Sequence, residues 1–323
     1  MEDIIEKLKK SNLTGRGGAG FPTGLKWEAV KNAKGEKKFV ICNASEGEPE
    51  TFKDGYILEN FPEKVIFGIK IAMQSVGSDS ACIYLRSDYF YKFGHRLKAL
   101  AENMPLTIFK KAGGYIAGEE TSLLEAIEGK RPEPRMKPPY PTENGLFGFP
   151  TLINNVETFY RVWEISEGKY DGKRFYSVCG AVKNKGVCEF SENTPISQIL
   201  RETNNFPDFD FFVQAGGGAS GEVLLKEEID KPLCGVGSIV VYDLKRTDPY
   251  LLMEKWADFF FRGNCDKCVP CREGIYRLLE MAKRKKINKG VMEEILFTME
   301  ETSFCPLGKS ATKPFKSLLE KII

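Results

Sequence analysis

TGRGGAGFPTGLKW, residues 14–27, carries Gly15, Gly17 and Gly20 in the spacing G-x-G-x-x-G, which is typical of a dinucleotide-binding turn. Such a turn follows a strand, opens a helix and precedes an acidic residue by about 20 positions. Here the preceding residues have a helical apolar pattern, and the first acid after a strand-like run, Glu46, comes later than the pattern requires. The stretch therefore matches the ordinary fingerprint only in part.

The composition of this loop favours a ligand cradle over a turn with a purely structural role. Four closely spaced glycines allow the backbone to approach a flat ring or a phosphate. Arg16 and Lys26 add positive charge, and Phe21 adds an aromatic face for stacking. The loop predicts a nucleotide or flavin site that lacks the usual strand-turn-helix geometry.

The residues after the loop alternate between strand and helix patterns. Apolar runs at 39–42, 81–85 and 106–110 predict buried strands, and the segments 61–76 and 91–103 predict helices. This β-α-β-α order is typical of an α/β domain with a largely parallel sheet.

A second glycine loop, GGYIAGEET at 113–121, places Glu119 and Glu120 at the start of a predicted helix. Two interpretations stay open for these acids. They can simply favour the positive end of the helix dipole. Alternatively, one carboxylate binds ribose hydroxyls and repels a 2′-phosphate, which would favour NADH over NADPH.

The chain changes character after this helix. Residues 130–150 contain six prolines, which exclude regular structure and indicate a functional loop. Short strand patterns around one helix at 174–245 predict a small α+β module. From Tyr250 onwards the pattern is helical.

A cysteine cluster lies within that helical part. Cys265, Cys268 and Cys271 have the spacing C-x2-C-x2-C, and Cys305 precedes a proline further on. Three close thiolates plus one distant one favour a [4Fe–4S] cluster, whereas structural zinc is more typically bound by two separated pairs. A helix predicted to begin near Arg272 would point its positive end at the anionic cluster. The other five cysteines are expected to be buried apolar residues.

Composition restricts the class of function. The chain has 323 residues, 47 basic and 45 acidic side chains and one histidine, His95. Near-neutral charge argues against nucleic-acid binding, and a single histidine argues against imidazole-based catalysis. No apolar run reaches the ~18 residues of a spanning helix, and the N-terminus lacks a signal-peptide core. We therefore expect a cytoplasmic protein without direct membrane insertion, in which a cofactor carries the chemistry.

Five blocks together resemble the NADH-binding flavoprotein subunit of respiratory complex I and the related diaphorase subunits of NAD-dependent or electron-bifurcating hydrogenases and formate dehydrogenases. The blocks are GRGGAGFPTGLKW (15–27), CNASEGEPETFKD (42–54), GGYIAGEETSLLEAIEG (113–129), RPEPRMKPPYP with GLFGFPTLINNVET (131–158), and CDKCVPCREG with FCPLG. The resemblance implies three domains. These are a Rossmann-like α/β domain for FMN and NADH (1–168), a ubiquitin-like β-grasp domain of the soluble-ligand-binding type (169–247) and a helical [4Fe–4S] domain (248–323).

The resemblance also implies roles for individual residues. FMN would be lined by Gly15, Arg16, Gly17, Lys26, Asn43, Ser45, Glu46, Tyr115, Gly118 and Glu119, with its phosphate held by Asn154 and Asn155. NADH would contact Gly18, Phe21, Glu48, Glu120, Lys137 and Tyr140. The cluster ligands would be Cys265, Cys268, Cys271 and Cys305. No side chain is expected to act as acid or base in hydride transfer, and Glu46 is the carboxylate expected beside the flavin.

The implied activity is hydride transfer between NADH and FMN, followed by one-electron transfer through the cluster. The implied partners are a thioredoxin-like [2Fe–2S] subunit and a larger iron–sulfur subunit. The chain departs from the family pattern at Ser45, where an aspartate is usual, at Ala29, where an aromatic residue often stands, and at Tyr140, where phenylalanine is usual. Two alternatives remain: an NADPH-linked flavoprotein, and a non-redox interaction module stapled by its metal site.

Overall fold

A computed structural model describes residues 3–323, which form two compact units. The first unit contains the residues up to Gly47, Phe52–Gly113 and Ala117–Phe175. The second contains Glu48–Thr51, Gly114–Ile116 and Tyr176–Ile323. Two short segments from the N-terminal half of the chain therefore belong to the second unit.

The described residues of the first unit alternate between helices and strands. In chain order the elements are α1 (Ile4–Lys10), α2 (Thr23–Asn32), β1 (Phe39–Ala44), α3 (Lys53–Asn60), α4 (Pro62–Val76), β2 (Ser80–Leu85), α5 (Ser87–Leu100), β3 (Leu106–Lys110), α6 (Glu120–Ile127), β4 (Thr151–Asn155) and α7 (Val156–Ser166). The predicted α/β unit is confirmed. The proline-rich segment contains only a one-turn 3₁₀ helix, at Leu146–Gly148.

The sheet of the first unit is entirely parallel, in the strand order β3-β2-β1-β4. The register pairs Asn43 on β1 with Asn155 on β4, and Leu85 on β2 with Lys110 on β3. The carboxyl ends of all four strands therefore meet at one edge. The order reverses between β1 and β4, and ligands of open α/β sheets bind outside the carboxyl ends at such a switch point.

Three elements of the first unit, namely α3, β4 and α7, lie outside the sequence prediction. Helix α3 has eight residues and includes Gly55, so its local helix preference is weak. Strand β4 has five residues and ends in Asn154 and Asn155, which are uncommon strand residues. Burial between neighbouring elements stabilises α3 and β4, and a local pattern does not report that burial.

Gly68 on α4 allows this helix to pack directly on α7. A Cβ atom at this position would overlap the carbonyl group of Phe159, which belongs to the backbone and cannot rotate away. We expect Gly68→Ala to lower the free energy of unfolding by about 2–3 kcal/mol, as measured by urea denaturation. The control is Gly94→Ala on α5, where the new methyl group would lie 3.7 Å from Cγ2 of Ile108. That substitution should be neutral or stabilising, because alanine has the higher helix propensity; equal destabilisation of both variants would contradict the packing argument.

The second unit combines a mixed sheet with a helical bundle. Its elements are β5 (Lys173–Gly180), β6 (Gly186–Ser191), α8 (Ile196–Glu202), β7 (Phe211–Ala215), β8 (Glu222–Leu225), β9 (Ser238–Asp243), α9 (Pro249–Gly263), α10 (Val269–Lys283), α11 (Lys289–Thr302), α12 (Pro306–Ser310) and α13 (Thr312–Lys321). The first residues of β5 belong to the first unit. The sheet order is β6-β5-β9-β7-β8, with β5 and β9 parallel and β7 antiparallel to both β9 and β8. This sheet, crossed by one helix, has the arrangement expected for a β-grasp module.

One apolar core joins the sheet and the bundle of the second unit. Phe212 on β7 and Val223 on β8 belong to the same buried cluster as Trp256 on α9 and Phe315 on α13. The backbone N–H of Val223 also donates to Ser317 Oγ at 2.9 Å. The bundle and the β-grasp module are therefore packed as one body. Within residues 3–323, no helix has both the length and the apolar character needed to cross a bilayer.

Candidate functional site

The carboxyl edge of the parallel sheet gathers the polar residues predicted around β1. Asn43 Nδ2 donates to the carbonyl oxygen of Gly118 at 2.9 Å, and its Oδ1 accepts from Ser45 Oγ at 2.7 Å. A Cβ atom on Gly118 would lie 2.6 Å from Ser45 Oγ, so only glycine fits there without displacing the serine. These contacts bring the second glycine loop against the end of β1.

The first glycine loop closes on itself beside β4. The N–H of Gly15 donates to the carbonyl of Phe21 at 2.9 Å, and Gly18 and Gly20 adopt positive φ angles of 106° and 66°. A Cβ atom on Gly17 would lie 3.4 Å from Cβ of Asn155, so the loop passes close to the end of that strand. The loop thus borders the switch point, as a backbone cradle for a ligand there must.

Charge and aromatic groups are distributed unevenly along this loop. Arg16 is buried, and its Nη2 donates to the hydroxyl of Tyr170 at 3.1 Å. Phe21 is 51% exposed, with Lys26 Nζ 5.9 Å from the centre of its ring. The aromatic face predicted for stacking is therefore available, whereas the Arg16 guanidinium is used within the unit.

Glu119 and Glu120 have different partners at the start of α6. Glu119 Oε2 caps the helix by accepting from the N–H groups of Thr121 and Ser122, both at 2.9 Å. Lys137 Nζ bridges the two acids, at 2.8 Å from Glu119 Oε1 and 2.7 Å from Glu120 Oε1. The capping interpretation therefore fits Glu119, and Lys137 ties the proline-rich segment to the second glycine loop.

Glu120 also faces the first loop. Its Oε2 lies 3.4 Å from Lys26 Nζ. Burial would raise the pKa of Glu120, but Lys26 and Lys137 outweigh burial and lower it. Glu120 is thus an ionised acid held between two cations. Tyr140, from the same proline-rich segment as Lys137, is 53% exposed.

The carboxylate of Glu46 is buried behind the end of β1. It accepts from the N–H groups of Asp54 (2.9 Å) and Gly55 (3.1 Å) and from the hydroxyl of Tyr89 (2.6 Å). Burial is the main cause that raises the pKa of Glu46 from 4.5 to about 7, and the Asp54 carboxylate adds to it. Glu46 therefore titrates near neutral pH.

This raised pKa predicts a pH dependence of stability. Folded Glu46 keeps a proton that the unfolded chain releases above its usual pKa of 4.5, so the free energy of unfolding should fall as pH rises towards 7. Urea denaturation from about pH 5 to about pH 8 should show this decrease in the wild type relative to Glu46→Gln. Replacement of the exposed Glu36 by glutamine is the control and should keep the wild-type slope. If the free energy of unfolding of wild type and of Glu46→Gln depended on pH in the same way, the result would contradict the raised pKa of Glu46.

Asn154 and Asn155 at the end of β4 differ in what they can offer a ligand. Asn154 Oδ1 accepts from Trp27 Nε1 at 2.9 Å, which leaves its amide NH₂ as the donor towards the edge of the sheet. Asn155 is the N-cap of α7: its Oδ1 accepts from the N–H of Glu157 at 3.0 Å, and its Nδ2 donates to Asp54 Oδ2 at 2.6 Å. Asn155 therefore shapes the helix terminus rather than presenting a free side chain.

Two predicted site residues, Glu48 and Tyr115, lie in the second unit and bind each other. The Tyr115 hydroxyl donates to Glu48 Oε1 at 2.6 Å, and the N–H of Ala219 donates to Glu48 Oε2 at 3.1 Å. Ser220 Oγ donates to the same carboxylate at 2.5 Å. Glu48 is thus anchored to the β7–β8 loop.

The four predicted cluster cysteines line one cavity in the second unit, together with Ile116, Asn264, Asp266, Lys267, Phe304 and Leu307. Cys271 and Cys305 are buried, and Cys265 and Cys268 are half-buried. Burial raises the pKa of Cys271, and the nearby Cys268, Cys305 and Cys265 thiols raise it further. The four thiols therefore line one confined space, and a cationic iron core bound there would stabilise their thiolate forms.

The local folds around the cysteines suit an anionic group. Helix α10 begins at Val269, three residues before the expected start at Arg272, because Pro270 is well suited to a first helical turn. Cys268 is its N-cap, and Cys305 precedes Pro306 at the start of α12. Within residues 3–323, no three histidine, cysteine or acidic side chains converge tightly enough to hold one metal ion. Four thiols that line one cavity are the donor set that a [4Fe–4S] cluster uses.

Sequence reasoning missed four charged residues near the sheet edge: Lys53, Asp54, Arg86 and Lys111. Lys53 Nζ lies 2.6 Å from Asp54 Oδ1 and 3.1 Å from Glu157 Oε2, and all three side chains are at most 3% exposed. Arg86 follows β2, and its Nη1 donates to the carbonyl of Glu46 at 2.8 Å. One signal was available, since Arg86 and Lys111 directly follow two of the three runs predicted as strands, at 81–85 and 106–110.

Comparison with known proteins agrees with this arrangement. Residues 8–164 match the family described as the Nuo51 FMN-binding domain, and residues 251–322 match the NADH-ubiquinone oxidoreductase-F iron-sulfur binding region. The chain is 33% identical to an NADH-quinone oxidoreductase subunit of Rhizobium meliloti, over 99% of this chain and 86% of that protein. It is 31% identical to the NADP-reducing hydrogenase subunit HndC of Solidesulfovibrio fructosivorans, over 98% of this chain and 74% of that protein.

A solved structure agrees with the fold. The crystal structure of an NAD⁺-reducing [NiFe]-hydrogenase in the H₂-reduced state superposes with a TM-score of 0.92 at 32% identity. The match covers 98% of this chain and 61% of the hydrogenase chain, so the chain spans about three fifths of that protein's length. The predicted family, redox class and cofactors are thereby confirmed. The chain belongs to the family of FMN- and iron–sulfur-binding oxidoreductase subunits that includes the matching subunit of NADH-quinone oxidoreductase.

Proposed function

We propose that this chain transfers a hydride between NADH and FMN, and single electrons between FMN and a partner subunit through one [4Fe–4S] cluster. The observation that carries the proposal is that one chain contains both a candidate flavin site and a candidate cluster site. Two glycine loops and the asparagines of β1 and β4 meet at the switch point of a parallel sheet, and four cysteines line a cavity in the second unit. FMN supplies the ring that accepts the hydride and converts a two-electron donor into a one-electron donor.

In this proposal the chain binds and orients, and no side chain acts as acid or base. The flavin would be lined by residues of the two glycine loops, of β1 and of the segment directly after β1, namely Gly15, Arg16, Gly17, Lys26, Asn43, Ser45, Glu46, Tyr115, Gly118 and Glu119. The phosphate would be bound by the amide NH₂ of Asn154 and by the first N–H groups of α7, whose terminus Asn155 shapes. Both asparagines, Asn154 and Asn155, would in this way hold the phosphate, the first through its side chain and the second through the helix terminus that it caps.

The nicotinamide nucleotide would contact Gly18, Phe21, Glu48, Glu120, Lys137 and Tyr140. Phe21 and Tyr140 support this role because both rings are more than half exposed in the first unit and can stack on a base. The cluster would be held by Cys265, Cys268, Cys271 and Cys305. We also propose the division into domains at 1–168, 169–247 and 248–323, with a thioredoxin-like [2Fe–2S] subunit and a larger iron–sulfur subunit as cytoplasmic partners.

Anaerobic purification followed by titration with NADH tests this proposal. The protein should contain flavin, iron and acid-labile sulfide, and stoichiometric NADH should bleach the flavin absorption. A colourless protein without acid-labile sulfide would support the non-redox interaction module. A flavoprotein that NADH does not bleach would exclude NADH as the substrate.

A second candidate is an NADPH-linked enzyme, and two ion pairs of Glu120 favour it. Glu120 would repel a 2′-phosphate if it were unpaired, but Lys26 and Lys137 partly neutralise it. One relative is named an NADP-reducing hydrogenase subunit. Parallel titrations with NADH and NADPH decide between the two. We expect NADH to reduce the flavin at a concentration about tenfold lower, since an acid remains at the ribose position; equal or preferential reduction by NADPH would establish the alternative.

A further inference from the structure

Lys111 occupies the position directly after β3, at the carboxyl edge of the parallel sheet. Its backbone N–H donates to the carbonyl of Leu85 at 2.7 Å, which fixes the chain at the end of β2. Its side chain turns towards the second glycine loop, because Nζ would lie 3.9 Å from a Cβ atom built on Gly118. Ser45 Oγ borders the same point at 2.6 Å. The ammonium group and the serine hydroxyl therefore flank one space in front of Gly118.

The ammonium group of Lys111 has no counter-ion there. Among the residues that the structure describes, no carboxylate pairs with Nζ and no acceptor binds it. The nearby cation Arg86 is engaged with Asp88 and with the carbonyl of Glu46. Burial, followed by repulsion from Arg86, lowers the pKa of Lys111 to about 8, so the group is still a cation at neutral pH.

An unpaired, half-buried cation is costly unless a ligand neutralises it. The neighbouring Lys110 shows the ordinary arrangement, since its side chain is exposed and donates to the hydroxyl of Tyr91 at 2.7 Å. Lys111 instead points into the edge where Asn43, Ser45 and Gly118 meet. The missing partner is therefore an anion, or a ring that becomes anionic, bound at this edge.

The order of the strands shows which part of a ligand Lys111 can reach. The proposed phosphate site lies on β4, and Lys111 follows β3, at the opposite side of the four-stranded sheet. Three strand spacings of about 4.8 Å separate the two positions, which is beyond the length of a lysine side chain. Lys111 can therefore reach only the part of the ligand that lies over Ser45 and Gly118, away from the phosphate.

We propose that Lys111 contacts the flavin ring of the bound cofactor and stabilises its reduced, anionic form. This inference rests on the proposed function, because it assumes that FMN occupies the edge of the sheet. A hydride brings two electrons and one proton, so a flavin that accepts it without a further proton gains one negative charge. Positive charge near the ring favours that state and raises the reduction potential.

A redox titration of the holoprotein, followed by the flavin absorption, tests the proposal with Lys111→Gln. Glutamine keeps much of the length of the side chain and removes its charge. We expect the affinity for reduced FMN to fall about tenfold relative to oxidised FMN, which lowers the two-electron potential by about 30 mV. Lys111→Arg should keep the wild-type potential. Lys110→Gln is the matched control, because it makes the same charge change one residue away.

The outcomes separate this inference from the proposed function. If the wild-type protein binds no FMN, the proposed function fails. If FMN binds normally and Lys111→Gln titrates at the wild-type potential, only the role of Lys111 fails. If Lys110→Gln and Lys111→Gln shifted the flavin potential equally, the shift would be an effect of general surface charge. That result would overturn the proposed contact between Lys111 and the flavin ring. If Lys111→Gln bound NADH more weakly but kept the wild-type flavin potential, Lys111 would contact a phosphate of the nucleotide instead. That result would also overturn the proposed contact with the flavin ring.

Discussion

Replacement of Cys268 by serine should remove the iron–sulfur signal while NADH still bleaches the flavin of the same protein. The physical reason is the separation of tasks between the two units. Cys268 lines the cysteine cavity of the second unit, whereas the first glycine loop and the asparagines of the proposed flavin site lie in the first. A [4Fe–4S] cluster needs four thiolates, and a serine hydroxyl is a poor replacement for one of them.

The serine substitution should leave the fold intact. Cys268 is half-buried and is the N-cap of α10. Serine is among the preferred residues at that position, so the helix start is kept or improved. We expect iron content and the low-temperature EPR signal to fall to about one tenth or less. Flavin reduction by NADH in a stopped-flow experiment should stay within about threefold of wild type, since hydride transfer is set by positioning at the flavin site.

Cys234→Ser is the control for general effects of thiol loss. Cys234 is exposed and is absent from the cysteine cavity, so its replacement should change neither iron content nor flavin reduction. If a folded Cys268→Ser protein lost flavin reduction together with its iron, flavin reduction would depend on the cluster site. That result would contradict the proposal that the two sites act separately. Retention of the full EPR signal would exclude Cys268 as a ligand.

The sequence predicted those features of the fold and of the candidate site whose residues are close together in the chain. Cys265, Cys268 and Cys271 are spaced three residues apart, and this spacing alone brings their thiol groups to the start of helix α10. Buried strands of a parallel sheet have continuous apolar sequences. Most residues of β1 and β2 are buried, so their apolar runs correctly predicted strands. In each case a local pattern determined the structure.

The remaining features depend on contacts between distant residues. Strand β8 has only four residues and takes its place from antiparallel pairing with β7. The ion pair of Lys53 and Glu157 joins residues that no spacing rule connects. Lys111 follows a recognised strand, but its lack of a counter-ion is visible only once Arg86 and Gly118 are in place. Burial and charge balance are properties of the folded unit, which explains why the pattern of the sequence did not report them.

The buried charge network around Lys53 predicts the largest effect on stability. Burial acts against the Lys53 cation, but Asp54, Glu157 and Glu46 outweigh burial and raise its pKa. Lys53→Met would therefore leave the carboxylates of Asp54 and Glu157 buried without this cation. Removal of one partner from a buried ion pair costs about 3–5 kcal/mol, and we expect a loss of that size in the free energy of unfolding.

The same substitution should weaken FMN binding. Lys53 Nζ lies 3.3 Å from Asn155 Oδ1, and Asp54 Oδ2 accepts from Asn155 Nδ2 at 2.6 Å. Asn155 caps α7, whose first N–H groups form part of the proposed phosphate site. Loss of Lys53 lets Asp54 and Asn155 move, and we expect the dissociation constant for FMN to rise at least tenfold, about 1.4 kcal/mol.

A double variant separates charge imbalance from lost packing. Lys53→Met combined with Glu157→Gln removes one cation and one anion together, so it should recover part of the stability lost in the single variant. Lys31→Met is the matched control: Lys31 lies 2.7 Å from Asp3 in an exposed pair, and its loss should cost less than about 1 kcal/mol. Urea denaturation and flavin fluorescence measure the two effects. If Lys53→Met were no more destabilising than Lys31→Met, Lys53 would not be the cation that balances these buried acids, and the positioning of Asn155 through it would fail as well.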